Sequence, residues 1–327
     1  MGNAYRIVGF WAAALWLGLA AALAFAQDAY PTKPLRMIAP FPPGGTTDVL
    51  SRILAQKLGD SLGRQVVVEN RPGAGSNLGH ELAAKTAPDG YTLLMSSNVA
   101  LATNRHLYKR LGFDPDNDFA PISVVATAGP VLVVHPAVPA RSVKELVALA
   151  RARPGELNFG SSGVGSSSHL MGELFNMMAE VKMSHVPYKG SADAATATAA
   201  GQIEISFPSI ASVGPFLDAR KLRALAVTSA RRNPLLPSLP TVSESGLPGY
   251  DRSTWFGVAA PAGVPKEIIA RLNAEIGKIV GTPKIKALFN KQGLEPSPNT
   301  PEEFAAFIRE QLATNAKVVA FSKAKSE

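Results

Sequence analysis

The chain contains no cysteine in 327 residues. That removes disulfides, thiol nucleophiles and thiolate metal sites. It also removes a lipid anchor, which needs a cysteine at the leader cleavage site. Histidine is scarce, at five residues. None stands in an H-x-x-x-H pattern or in a carboxylate cluster with ligand spacing, so no metal is expected. None is a recognisable base with an orienting acid either. The nucleophile elbow G-x-S-x-G fails as well, because Gly160-Ser161-Ser162-Gly163-Val164 ends on valine. The dinucleotide fingerprint fails at Leu78, where Gly73-Ala74-Gly75-Ser76-Asn77 should be followed by glycine. Neither a cofactor nor catalysis is expected.

Charge is sparse at 18% and leans basic, with a net charge of +8. The lysines and arginines are scattered and not interleaved with aromatics, which argues against nucleic acid as a partner. Mild attraction for acidic small molecules and simple solubility both fit such a balance.

Beyond the first residues there is no apolar run long enough to span a membrane. Near the start, Arg6 precedes the apolar stretch from Ile7 to Ala26, which ends in Ala24-Phe25-Ala26. This reads as a secretory signal peptide over residues 1–26, cleaved before Gln27. Removing Arg6 with it leaves +7. An uncleaved anchor is the rival, since the stretch is long enough to span. The Ala-x-Ala site and the polar residues after it favour cleavage and a periplasmic location.

What is present is a repeated pattern of short apolar runs, glycine-rich loops and amphipathic stretches. It predicts an α/β fold of two lobes: 27–127 with 253–327, and 128–252. Leu35–Ala39 reads as a buried strand. Pro40-Phe41-Pro42-Pro43-Gly44-Gly45-Thr46-Thr47-Asp48 is a loop. Val49, Leu50, Ile53, Leu54 and Leu58 then recur at helical spacing, with Gly59 as the expected stop. The free N–H groups of that helix start and its dipole can hold a carboxylate. The loop is equally an ordinary turn with Thr46 or Thr47 as N-cap. Asp48 would repel an anion unless it points away or meets an ammonium group. On the first reading, valine at Gly44 or Gly45 abolishes binding in a folded protein.

Further strands are expected at Val66–Val68, Tyr91–Met95, Ile122–Ala126 and Val131–Val134, with the crossing between lobes near Gly129-Pro130. Ser97 and Asn98 follow the third strand, where open α/β sheets place ligands. They are ligand contacts or the cap of the next turn. Leu111 to Phe119 reads as a surface loop. Capping boxes are expected at Ser142/Glu145 and Thr300/Glu303.

The opening pattern recurs in the second lobe. Leu157–Gly160 is a strand, Ser161-Ser162-Gly163-Val164-Gly165-Ser166-Ser167-Ser168 a loop, and a helix follows from His169. Ser161, Ser162, Gly163 and Ser166 can supply backbone and hydroxyl donors to an anion. Two such loops, one per lobe, could hold the two ends of a dicarboxylate. Tyr188 and Ser209 stand at later strand ends and are further candidates. Trp255 either walls the cleft or packs between the lobes, and Phe256–Ala260 is the returning strand. The rest is helical.

Several motifs then occur together and in order: Tyr30-Pro31-Thr32-Lys33-Pro34, Pro42-Pro43-Gly44-Gly45-Thr46-Thr47-Asp48, Glu69-Asn70-Arg71-Pro72-Gly73-Ala74-Gly75, Pro88-Asp89-Gly90-Tyr91, Val186-Pro187-Tyr188-Lys189-Gly190, and Leu239-Pro240-Thr241 with Gly246-Leu247-Pro248-Gly249. In these the chain resembles the Bug (TctC-like) family, the extracytoplasmic solute receptors of tripartite tricarboxylate transporters. The resemblance implies a periplasmic binding protein fold with a ligand cleft between two α/β lobes. It implies a monomeric receptor for a small carboxylate: a di- or tricarboxylate, an acidic amino acid or an aromatic acid. The loops Phe41–Asp48 and Ser161–Ser168 would close on that carboxylate, and membrane permease subunits would receive it. A ligand sensor facing a membrane signalling partner, or an exported enzyme acting on small acids, are the alternatives.

Overall fold

The run Leu35–Ala39 forms β1, buried among apolar neighbours as its composition requires. The structure, a computed structural model, describes residues 30–322, and the leader expected over 1–26 lies outside them. After β1 come α1 (Thr46–Leu62), β2 (Val66–Asn70), a single 3-10 turn, α2 (Asn77–Ala84) and β3 (Thr92–Ser97). Two short helices follow, α3 (Asn98–Ala102) and α4 (Asn104–Leu107), then β4 (Phe119–Ala128).

The second lobe holds β5 (Val131–Val134), α5 (Val143–Ala152), β6 (Asn158–Ser161), α6 (Ser167–Ala179), β7 (Ser184–Pro187), α7 (Ser191–Ala199), β8 (Ile205–Ser206), α8 (Ile210–Asp218) and β9 (Arg223–Val227). The chain returns through β10 (Thr254–Pro261) to α9 (Lys266–Gly281), α10 (Pro283–Lys291), β11 (Glu295–Pro296) and α11 (Pro301–Ser322).

Two sheets result, ordered β11-β4-β10-β3-β1-β2 and β7-β6-β8-β5-β9. In each, the central βαβ pairs are parallel, and the strand that crosses between lobes runs antiparallel to its neighbours. Gly129-Pro130 separates β4 in one sheet from β5 in the other. Parallel strands of this kind direct their following loops and helix starts to one edge, where α/β ligand sites form.

Gly59 does not stop α1. The helix runs one turn further and ends at Gly63, whose φ of 68° is left-handed and whose N–H bonds to the Gly59 carbonyl. Gly59 serves instead as a contact point, since a Cβ there would lie 3.4 Å from the Arg64 carbonyl oxygen. Segment 111–119 is also more than a surface loop, because Phe113 is buried and stacks on His80 at 5.4 Å. The Thr300 capping box forms in full and the Ser142 one in half, since Glu145 Oε2 accepts from the Arg141 N–H and not from that of Ser142. Ser142 Oγ accepts from the Glu145 N–H at 3.2 Å, and Thr300 and Glu303 cap one another reciprocally.

Helix α11, within the stretch 253–327 expected in the first lobe, packs against both lobes. Its Phe304, Ile308 and Leu312 pack with Trp255 and Ile38 in the first lobe. Val318 and Val319 belong to the core of the second, with Phe175 and Leu170. A helix of 22 residues reaches roughly 33 Å, enough to lie on both. Leu107 of α4 joins the same second-lobe core.

Candidate functional site

The first loop is organised by its acid. The Asp48 carboxylate is buried and accepts from the Gly44 N–H at 2.9 Å, Asn70 Nδ2 at 2.9 Å and Arg52 Nε at 3.0 Å. Burial pushes this carboxyl up, but the hydrogen bonds from Arg52, Gly44 and Asn70 outweigh it and hold it below the usual range. Its charge is thus answered inside the loop. Asn70 Nδ2 also donates to the Phe41 carbonyl at 3.1 Å, tying the loop to the end of β2. Gly44 sits at φ 85°, the left-handed region that favours glycine. Gly45 is the extended N-cap of α1 and no threonine side chain caps the helix.

The second loop is a web of hydroxyls. Ser168 Oγ accepts from the Ser162 N–H at 2.9 Å and lies 3.0 Å from Ser162 Oγ and 3.2 Å from Ser166 Oγ. Ser166 caps α6 by accepting from the His169 N–H. Gly165, at φ 74°, donates its N–H to His169 Nδ1 at 3.0 Å, so the His169 proton lies on Nε2, facing Glu173 at 3.6 Å. Ser161 is buried, with its Oγ 2.6 Å from His185 Nε2 and 3.0 Å from the Gly163 carbonyl. His185 stacks on His169 with ring centroids 3.7 Å apart. Burial first, and then the neighbouring His169 ring, push His185 down to about 4. This Ser–His pair supports the loop: its hydroxyl is buried, and a weakly basic imidazole is a poor general base.

Between the loops lies a cavity of about 770 Å³. Phe41, Thr46, Val99, Thr254 and Phe256 line it from the first lobe, and Ser162, Ser166, Met171, Phe207 and Ser209 from the second. Four helices open onto it by their first residues: α1 with Thr46, α6 with Ser167 and Ser168, α7 with Ser191, and α8 with Ser209 and Ala211. Helix N-termini carry unpaired N–H groups and the positive end of the dipole, so their convergence favours an anion. Among the described residues no aspartate or glutamate lines the wall, and Lys291 is the charged side chain in the lining.

Of the residues expected from sequence, Phe41, Thr46, Ser162, Ser166 and Ser209 are thus brought to one cavity. Gly44, Gly45, Thr47 and Asp48 shape the loop behind it, and Ser161 and Gly163 brace the second loop. Tyr188 lies outside the lining and gives its N–H to the Ser161 carbonyl at 2.9 Å. Ser97 and Asn98 are buried at the end of β3, and neither side chain caps α3. Asn98 Nδ2 reaches across to Ser167 Oγ at 3.1 Å.

Trp255 does not wall the cleft. It is buried in the first lobe against Phe304, at 5.2 Å, and Phe307, at 5.9 Å. Strand alternation gives the cavity its neighbours Thr254 and Phe256 instead. The sequence reading also missed Val99, Met171, Phe207 and the segment Lys291–Leu294. The first three look like ordinary core positions in sequence, and Lys291 looks like a helix-terminal cation.

Comparison with known proteins gives a consistent answer. The model of the tripartite tricarboxylate transporter family receptor matches residues 50–322. Protein BugT of Bordetella pertussis is 39% identical over 299 residues, covering 91% of this chain and 92% of BugT. A solved R. palustris protein with adipate superposes with a TM-score of 0.76 at 37% identity, covering 90% of this chain and 99% of the other. MatC from Rhodopseudomonas palustris with bound malate gives a TM-score of 0.72 at 28% identity, over 89% of this chain and all of MatC.

Proposed function

Since the chain belongs to the family of tripartite tricarboxylate transporter receptors, we propose that it captures a small carboxylate in the interlobe cavity and delivers it to the transporter's membrane permease subunits. The observation that carries this reading is the convergence of four helix N-termini on a cavity whose wall bears no acidic side chain. One carboxylate end meets the Ser162–Ser168 loop and Thr46, while Phe41, Phe207 and Phe256 cover the body of the ligand. Relatives solved with adipate and with malate support the class of ligand. Chemistry is not part of the role, and the receptor acts as a monomer in the periplasm after loss of its leader.

Capture proceeds by closure of one lobe on the other. Thermal unfolding of the chain from Gln27 onward, against a panel of carboxylic acids, tests the reading. A ligand at a hundredfold its Kd, bound only to the folded state, adds about 2.7 kcal/mol and raises Tm by several degrees. One stabilising chemical class of acids is the expected result. No shift with any acid, on protein shown free of copurified ligand, overturns it.

A further inference from the structure

Two histidines stand one hydrogen bond behind the cavity wall. Gly165, Ser166 and Ser168 line the cavity. The Gly165 N–H is held by Nδ1 of His169, in the first turn of α6. A backbone N–H can only donate, so this bond needs a bare lone pair on Nδ1. His185, on β7, holds the start of the same loop through Ser161 Oγ, which also accepts from the Gly163 N–H at 3.1 Å. The two rings lie face to face, 3.7 Å apart and 16° from parallel. Phe159 packs beside both, with ring centroids at 6.3 Å from His169 and 5.1 Å from His185.

A neutral His169 carries one proton, on Nε2. A charged one donates at both nitrogens. Charging it sets the ring Nδ1–H against the Gly165 N–H, and the bond that ties the loop to α6 is lost. The charge has a partner in Glu173, one turn along α6 and 3.6 Å from Nε2, the acid that pairs with either ring among the described residues. The other elements packed here bring little charge. Strand β6 brings Phe159 and Ser161, and β7 brings His185. The turn after β7 carries Tyr188, close to Gly160, and an exposed Lys189. Helix α11 meets this core through Val318 and Val319. Tyr250 and Arg151 reach the Met171 and Ala179 carbonyls of α6. Rings stacked this closely take up protons one at a time. With His185 held down by burial and by its neighbour, the first proton goes to His169.

Resting on the carboxylate-receptor reading, we propose that the His169–His185 stack is a pH switch on the second loop, and through it on ligand affinity. One proton on His169 breaks the Gly165 bond, and the loop loses the form in which Gly165, Ser166 and Ser168 face the cavity. The bond is present at the higher pH and lost as the pH falls. His169 and Glu173 are positioning residues, since neither is among the residues that line the cavity.

The Gly165 amide gives a readout that needs no ligand. In a pH series from about 8 to about 5.5, within the range where imidazole titrates, its NMR signal is expected to move together with the His169 ring signals. Calorimetric titration with adipate and with malate over the same series follows affinity. Affinity is expected to fall about fivefold toward acid, the loss of one hydrogen bond. Glu173→Gln removes the charge that steadies the protonated ring and should carry both transitions to lower pH, which loss of a merely structural glutamate would not do. His169→Asn keeps an acceptor for Gly165 but takes no proton, and should flatten the amide transition. Protonation of the acid itself remains in that variant's affinity profile, so the difference from the native chain isolates the switch. A Gly165 amide that does not move with pH, or an equal fall in affinity in the native chain and in His169→Asn, overturns the proposal and leaves the receptor reading standing. Binding of neither acid at any pH, with Gly165 titrating as expected, counts against the receptor reading and leaves the loop switch in place.

Discussion

Asn98 and Ser167 meet across the cleft, with the asparagine amide donating to the serine hydroxyl over 3.1 Å. One stands at the carboxyl end of β3 in the first lobe, the other is the first residue of α6 in the second. Asn98 is buried and is not among the residues that line the cavity. A double-mutant cycle of Asn98→Ala and Ser167→Ala, read by ligand affinity, is expected to show a coupling of about 1 kcal/mol. Strictly additive losses would show that the bond does not help hold the closed form.

The two glycines of the first loop should behave differently. Gly44 has room for a Cβ but a φ of 85°, so Gly44→Ala is strained by about 1 kcal/mol. Gly45 is extended, and a Cβ there meets only the Pro42 carbonyl oxygen at an ordinary 3.6 Å. Gly45→Ala is therefore expected to leave stability within about 0.5 kcal/mol of the parent. Urea unfolding of the pair checks the order.

Asp48 is expected to be the most sensitive polar position of the loop. Asp48→Asn keeps the shape but loses the charge that Arg52 and the Gly44 N–H answer, and should cost about 1–3 kcal/mol in denaturant unfolding. Arg52→Ala should cost less, since the arginine is half exposed. The carboxyl is held below its ordinary value in the fold, so its contribution is complete at neutral pH. It is lost as pH falls through that lowered value, and a pH series on Asp48→Asn should lack this acid-side component.

His80 adds a second acid-side window that opens at higher pH. It is fully buried, with Nδ1 2.8 Å from the Ser76 carbonyl and Nε2 2.7 Å from Ser96 Oγ. The carbonyl can only accept, so Nδ1 carries the proton and the Ser96 hydroxyl donates to Nε2. Burial pushes the ring down to about 4. The unfolded chain takes up a proton near pH 6.5 and the folded one does not, so stability present above that pH is lost progressively down to about 4. The expected slope from this ring is on the order of 1 kcal/mol per pH unit. An NMR titration of the His80 ring in the folded protein should stay flat through pH 6.5; a midpoint near 6.5 would contradict it.

Both glycine-rich loops were legible because each interrupts a clean change of hydrophobic period, from strand to helix, with glycine and hydroxyls at the junction. Side-chain parity was not. Trp255 and Phe256 are adjacent, and a one-residue step in β10 sends one to the core and the other to the cavity. Asp48 with Arg52 follows from i,i+4 spacing on a helix. The Asn70 bond that completes the loop comes from the neighbouring strand, 22 positions along the chain. Lys291 carried no local signal as a lining residue, because that stretch reaches the cavity where Gly293 touches α8 in the other lobe.

The last helix has a consequence for the order of events in folding. The core of the second lobe contains Leu107, Val318 and Val319 beside residues of the intervening chain. Its apolar surface therefore cannot be sealed when residue 252 has emerged from the ribosome, although every strand of its sheet is by then present. Until α11 arrives, the nascent second lobe keeps an uncovered face against α6, the kind of surface that holdase chaperones bind. A chain cut before residue 301 should consequently leave two damaged lobes, not one intact lobe and one missing helix.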